Sequence, residues 1–313
     1  MSTIMRTVII PAAGKGTRLL PLTRVTPKEL LPVYDQVAIM FAMDEAIAAG
    51  AEHIIVVVSP TKSAIRDFLG ADPTYAIHDL KPAAPVTFAQ RSDGPIRVEF
   101  VTQKTALGLG DAILGCKDKT LPGLFGVILP DDVVFGGSCL ADMAAHHSTG
   151  QMVAAMDVAP EKVSQYGIFQ IKALLTGRCI PVAGMIEKPA ASAAPSSLAA
   201  VGRYILDPMI FDVLEHTPPG AGGELQLTDA IATASKAVPL TAFRFSGERF
   251  DCGNHDGLLA ASFARQAIVR AGVERASKQE NLSWPKASCQ QATRFQSIEA
   301  GASNLQKGWS TTP

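Results

Sequence analysis

This 313-residue chain has no run of basic residues, no C-x-x-C pair and no uninterrupted apolar stretch of membrane-spanning length. Each absence excludes something. With a formal net charge of −1 and dispersed cations, a nucleic-acid partner is unsupported, although a small polyphosphate needs only a few local charges. Cys116, Cys139, Cys179, Cys252 and Cys289 are scattered and odd in number. That argues against a disulfide framework, and zinc spacing is missing too, so reduced structural thiols are expected. His146-His147 is the only histidine cluster, and adjacent positions on a helix diverge, so no metal site is read there. The apolar run at Val8 breaks at Pro11, too early for a signal segment. No membrane partner is expected, and a soluble cytoplasmic protein is. No internal repeat is evident.

What the chain does have is 47% hydrophobic against 18% charged residues, enough for a sizeable core in one large α/β domain or two modest ones. Its most telling stretch is Pro11 to Pro32, PAAGKGTRLLPLTRVTPKELLP, directly after the apolar run Val8-Ile9-Ile10. A buried strand entering a glycine-rich turn, with Arg18 and Lys28 beyond it, is suited to a polyphosphate. Glycines let the backbone approach closely, turn N–H groups point at the anion, and the cations offset its charge. Spacing separates the possible loops. A P-loop needs G-x-x-x-x-G-K-[S/T], but Gly14-Lys15 is followed by Gly16 with no glycine at the required distance before it. A dinucleotide fingerprint needs a third glycine where Leu19 stands, and an acid after the second strand, which His53 to Ser59 does not supply. A plain turn with incidental cations is the bland alternative; two linked blocks with ordered cations place it well behind.

Along the first half, apolar strands alternate with helical patterns: strands at Val8–Ile10, Ile54–Val58, Val98–Val101 and Gly126–Leu129, helices at Ile39–Ala49, Thr61–Leu69, Leu109–Cys116 and Leu140–His147. Such alternation predicts a mostly parallel sheet with ligands beyond the carboxyl ends of its strands. Pro11, Gln103 and Asp131-Asp132 fall there. A polar, Pro-rich excursion spans Ala71 to Pro95. From Met152 strands dominate, at Met152–Val158, Gly167–Ile171, Val182–Ile186 and Val201–Leu206, with Pro189–Ala200 read as a surface loop. Helical pattern returns at Ile210–Leu214, Thr228–Ala234 and Leu258–Ala271. The tail after about Ser277, rich in Ser, Gln, Ala and Lys, reads as a flexible extension, with Trp284 and Trp309 leaving a docking role open.

The linked blocks G-x-G-T-R and P-K-E-L-L-P resemble the signature of the sugar-phosphate nucleotidylyltransferases. The resemblance covers about residues 6 to 272, and its motifs occur in order: Leu129-Pro130-Asp131, Glu187-Lys188-Pro189, Val201 to Ile231 and Phe250-Asp251-Cys252-Gly253-Asn254. The segment VGRYILDPMIFDVLEHTPPGAGGELQLTDAI is closest to members that use UTP and glucose 1-phosphate. The L-G-D-N and L-D-T-G of thymidylyl-transferring members are missing. Two departures stand out: Asp35-Gln36-Val37 replaces a common D-K-P, and Asp111 occupies a frequent histidine position.

The resemblance implies a Rossmann-like nucleotidyltransferase fold, α/β with a mixed, mostly parallel central sheet flanked by helices. It also implies a domain over 1–272, with a nucleotide half at about 1–150, a sugar-phosphate half at about 151–272, and a polar extension over 273–313. Nucleotide-binding roles fall to Ala13, Gly14, Gly16, Thr17, Arg18, Lys28, Gln103 and Gly108. Sugar-phosphate roles fall to Asp132, Gly167, Glu187, Lys188 and Tyr204. Mg²⁺ is assigned to Asp131 and Asp251, and Arg18, Lys28, Asp131 and Lys188 carry catalysis. Taken singly, each of these has an ordinary reading: a turn acid for Asp131 or Asp251, an edge charge for Lys188, a surface amide for Gln103. A homo-oligomer, dimer or tetramer, is expected. A dTTP-using or other sugar-phosphate enzyme is the nearest alternative. A weakly active regulatory paralogue would be expected to have lost one of Asp131, Asp251, Lys28 or Lys188, all of which are present.

Overall fold

The computed structural model describes residues 5–70, 96–172 and 177–283. It divides into two compact units, Met1–Gln266 and Ala267–Pro313. The excursion at 71–95 and the tail beyond Ser283, with both tryptophans, lie outside the described residues. The end of the C-terminal helix belongs to the second unit, and every other element to the first.

Its elements begin with β1 (Thr7–Pro11), a small hairpin of β2 (Pro32–Val33) and β3 (Gln36–Val37), α1 (Ala38–Ala48), β4 (His53–Val58) and α2 (Ser63–Leu69). Then come β5 (Arg97–Thr102), α3 (Leu109–Leu114), β6 (Phe125–Ile128), β7 (Asp132–Phe135), α4 (Cys139–His146), β8 (Gln151–Asp157) and β9 (Gly167–Ile171). The rest are β10 (Cys179–Glu187), β11 (Leu198–Leu206), α5 (Met209–His216), α6 (Leu227–Ala234), β12 (Leu240–Arg244), β13 (Glu248–Asp251) and α7 (His255–Ser283).

Nine strands form one mixed sheet in the order β5-β4-β1-β6-β11-β8-β12-β10-β9. Pairing is parallel from β5 through β6 and between β8 and β12, and antiparallel where β11 joins β6 and β8 and where β10 joins β12 and β9. The apolar runs at β1 and β4 are continuous because both faces of the sheet are covered. Ile9, Ile55 and Val57 pack against Ile113 of α3, Ile210 of α5 and Ile231 of α6. On the opposite face Val8, Ile10, Ile54 and Val56 pack against Ile39 and Met43 of α1 and Leu140 of α4. The period-two alternation of the strands thus divides one run between two cores.

The sequence reading differs from the structure at several edges. β11 begins at Leu198, so the loop after Pro189 is shorter than read, because Leu198–Ala200 already pair with β8. β10 begins at Cys179, where pairing with β12 extends it. α7 runs from His255 to Ser283, longer than the apolar pattern suggests. No apolar alternation marks the two-stranded ribbon of β13 and β7, which places Asp251 opposite Asp132.

Candidate active site

Two clefts open along the carboxyl ends of the central strands, and Asp131 lines both. The first, of about 500 Å³, is bounded by the loop that leaves β1 and by the start of α3. Ala13, Gly14, Gly16, Thr17, Lys28, Gln103 and Gly108 line it. Gly16 sits at φ 67, a left-handed conformation that costs little only for glycine, and an added Cβ would come within 3.1 Å of Thr23 Cγ2. The Thr23 hydroxyl donates to the Gly16 carbonyl at 2.8 Å, closing the turn. That turn brings Gly14 to within about 4.0 Å of the Lys28 amine, measured from an ideal Cβ position.

Lys28 Nζ donates to Asp131 Oδ2. Burial opposes its charge, but Asp131 and Glu29 prevail and hold its pKa above the ordinary lysine value. Asp131 shows the mirror balance: burial raises it, yet Lys28 draws it below the usual carboxylate range. The neighbouring Glu29 is buried and takes a hydrogen bond from Lys62 Nζ at 2.7 Å, and the same amine donates to the Ala12 carbonyl at 2.8 Å. Lys62 therefore ties the two ends of the loop together. Burial lowers its pKa and raises that of Glu29.

The β7–β13 ribbon assembles the acidic centre. The Cys252 N–H donates to the Asp131 carbonyl at 2.8 Å, and the Gly253 N–H donates to Asp251 Oδ1 at 2.9 Å. A Cβ on Gly253 would lie 2.9 Å from both Asp131 Oδ2 and Asp251 Oδ1 and 2.5 Å from Arg18 Nη2. Two carboxylates thus face one small space that only glycine leaves open. Arg18 bonds Asp251 through Nη1 at 3.0 Å and Nη2 at 3.5 Å. Both acids are paired with cations of the same site.

The second cleft, of about 310 Å³, contains Arg18, Asp131, Asp132, Gly167, Glu187, Lys188, Tyr204 and Asp251. Glu187 Oε2 accepts from Thr228 Oγ1 at 2.7 Å, and Oε1 lies 3.2 Å from Lys188 Nζ. Lys188 has φ 43, a strained value for a residue with a side chain, and its N–H donates to the Tyr166 carbonyl at 3.0 Å. Asp132 is buried and fully engaged: Oδ2 accepts from the Gly202 N–H at 3.0 Å and Oδ1 from Arg249. Burial raises its pKa against the pull of Arg249.

All fifteen residues singled out in the sequence line one cleft or the other, with Arg18 on the second. Several others were missed. Arg203, fully buried, donates to the Asp132 carbonyl and to both oxygens of Glu45, fixing the turn that carries the acids. Glu224, like Asp131, lines both clefts. Arg249, Tyr166 and Thr228 complete the second. An arginine inside an apolar strand, as in Val201-Gly202-Arg203-Tyr204, was the available signal for Arg203. A larger cavity of about 700 Å³ near α5 and α6 contains no lysine or arginine and none of these residues. Among the described residues no group of three metal-ligating side chains occurs, and no helix is long and apolar enough to cross a membrane.

The nucleotidyl transferase family model matches residues 7–267. The UTP–glucose-1-phosphate uridylyltransferase of Mycoplasma pneumoniae is 38% identical over 267 residues, covering 82% of this chain and 91% of that protein. The enzyme of the same name from Pseudomonas aeruginosa is 34% identical over 277 residues, covering 86% and 99%. Among solved structures, a UDP-glucose pyrophosphorylase complexed with UDP-glucose superposes with a TM-score of 0.72 at 33% identity, covering 84% of this chain and 99% of that one. A UTP-bound UGPase from Acinetobacter baumannii gives 0.72 at 32% identity, covering 90% and 100%. With the family model matched over most of its length and relatives above 30% identity covering more than four-fifths of it, this chain belongs to the nucleotidyl transferase family.

Proposed function

We propose that the protein transfers the uridylyl group of UTP to α-D-glucose 1-phosphate, giving UDP-glucose and pyrophosphate. The observation that carries this reading is the meeting of two clefts at Asp131, with Lys28 on one side and Lys188 on the other. The relatives named for this activity supply the substrates. A phosphate oxygen of glucose 1-phosphate attacks the α-phosphorus of UTP in line, and pyrophosphate leaves. The nucleophile is already an anion at neutral pH, so no general base is needed. Positioning and neutralisation of charge carry the rate. Lys28 and Arg18 turn from their carboxylates toward the leaving pyrophosphate. Lys188 steadies the attacking phosphate, and Glu187 and Tyr204 border the sugar. Asp132, already committed to Arg249 and Gly202, holds the floor of the second cleft.

With Arg18 turned away from Asp251, the space around Gly253, faced by two hard carboxylate oxygens, would fit a divalent cation that draws its remaining ligands from phosphate and water. Asp131 and Asp251 would hold Mg²⁺, which when bound supplies charge neutralisation beside the α-phosphate. The first cleft, lined by residues of 1–150 apart from Glu224, supports a nucleotide half, while the second draws Arg18, Asp131 and Asp132 from 1–150 beside Gly167, Glu187, Lys188 and Tyr204 from 151–272. Among the described residues the free thiols Cys116, Cys139 and Cys252 are buried and Cys179 is exposed, which supports a reducing, cytoplasmic setting. A homo-oligomer, dimer or tetramer, is checked by mass in solution.

The decisive assay is pyrophosphate release from UTP and glucose 1-phosphate, with and without Mg²⁺. Release that requires all three components is expected. Release with dTTP at equal or greater efficiency, or with a different sugar phosphate in preference, would move the assignment within the family. No release from any pair would sink it.

A further inference from the structure

Gln103 lies at the edge of the nucleotide cleft, just beyond β5, and its side chain is held in one orientation. Its Nε2 donates one hydrogen to the Gly108 carbonyl at 3.0 Å and the other to Asp111 Oδ2 at 2.7 Å. A carbonyl and an ionised carboxylate only accept, so both partners demand the amide nitrogen. Rotating the amide by a half-turn would set its oxygen against two acceptors and lose two bonds, one of them charge-assisted. Oε1 has no hydrogen-bond partner among the described residues and is not sealed from solvent. It is the one polar atom this side chain offers a ligand.

We propose that Asp111 is a positioning residue for base selection: it locks Gln103 so that the cleft presents an acceptor, and so favours a base with an N–H at the facing edge. Uracil, with its N3–H, meets that demand. Cytosine placed in the same pose turns the N3 lone pair toward Oε1 and is repelled. The inference rests on the nucleotide assignment above and deepens it; it does not separate uracil from thymine, which share the N3–H. Without Asp111 the Gly108 carbonyl remains as a weaker guide, so discrimination is reduced, not abolished.

The test compares wild type, Asp111→Ala and Asp111→Asn in two ways: binding of UTP and of CTP by calorimetry without sugar phosphate, and steady-state kinetics with glucose 1-phosphate. Loss of one charge-assisted hydrogen bond predicts that Asp111→Ala lowers the UTP-over-CTP preference about tenfold. The change should lie in nucleotide affinity, with the KM for glucose 1-phosphate unchanged. Asp111→Asn, whose Oδ1 can accept the same N–H, should retain most of the preference. Asp111 also lies in the first turn of α3, so melting temperatures are recorded to separate a loss of fold. Equal weakening of UTP and CTP in Asp111→Ala, or an unchanged ratio, overturns the proposal. So does a wild type that binds CTP as tightly as UTP. A wild type that prefers UTP but turns over no sugar phosphate would refute the enzymatic reading and leave the role of Asp111 standing.

Discussion

On the proposed nucleotide side, Ala13, Gly14, Gly16, Thr17 and Lys28 come from a single loop, whereas the proposed sugar side draws Asp132, Gly167, Glu187, Tyr204 and Arg249 from separate strands. Each side rests on a buried ion pair, and the pairs differ. Under the acids, Glu45 uses both oxygens, accepting from Arg203 and from the Leu140 N–H. Under the loop, Glu29 takes Lys62 on one oxygen, while its other oxygen, buried, has no hydrogen-bond partner among the described residues. A local loop needs only a tie between its ends. A centre gathered from distant strands needs its turn fixed from within the core.

The largest expected effect breaks the stronger of these supports. Arg203→Met leaves Glu45 as an unpaired buried carboxylate and should cost about 3–5 kcal/mol of folding stability, read from denaturant melts. A loss below about 1 kcal/mol would mean that the acid turn is held by the ribbon alone. Next comes the junction of the clefts. Asp131→Asn and Asp251→Asn should each lower kcat on the order of a hundredfold or more with the melting temperature little changed, since each removes a charged oxygen from the proposed metal position. Near-wild-type turnover of either variant at limiting Mg²⁺ removes that residue from the shell.

The two lysines sharpen the contrast between the sides. Lys188→Ala should mainly raise the KM for glucose 1-phosphate, roughly tenfold, while Lys28→Ala mainly lowers kcat. Identical effects of both on both substrates would erase the division. The smallest effect is expected at the loop's support: Lys62→Met should raise the KM for UTP a few-fold and cost about 1–3 kcal/mol. An effect on stability as large as that of Arg203→Met would make the two supports equivalent.

The same contrast explains what was legible in the sequence. The loop from Pro11 to Lys28 is contiguous, so its glycines and cations declare themselves at fixed spacing. Its strand announces itself because both faces are buried, giving the unbroken run Val8–Ile10. The ribbon of β7 and β13 is short and carries Asp132, Glu248, Arg249 and Asp251, so no apolar alternation marks it; its pairing joins residues far apart in the chain. Arg249 on Asp132 and Thr228 on Glu187 are equally long-range, and neither residue type stands out alone. Gln103 and Asp111 were each visible in the sequence, the second as a departure from a family pattern, but their pairing emerged only from the geometry of the α3 start.

The central claim is that both substrates lie across Asp131 together and the nucleotidyl group passes directly between them. The stereochemical course at the α-phosphorus tests this most directly, using UTP made chiral there by a single sulfur substitution. One in-line displacement predicts inversion of configuration in the UDP-glucose analogue formed. Retention would show two successive displacements through a covalent enzyme intermediate, and would contradict the account.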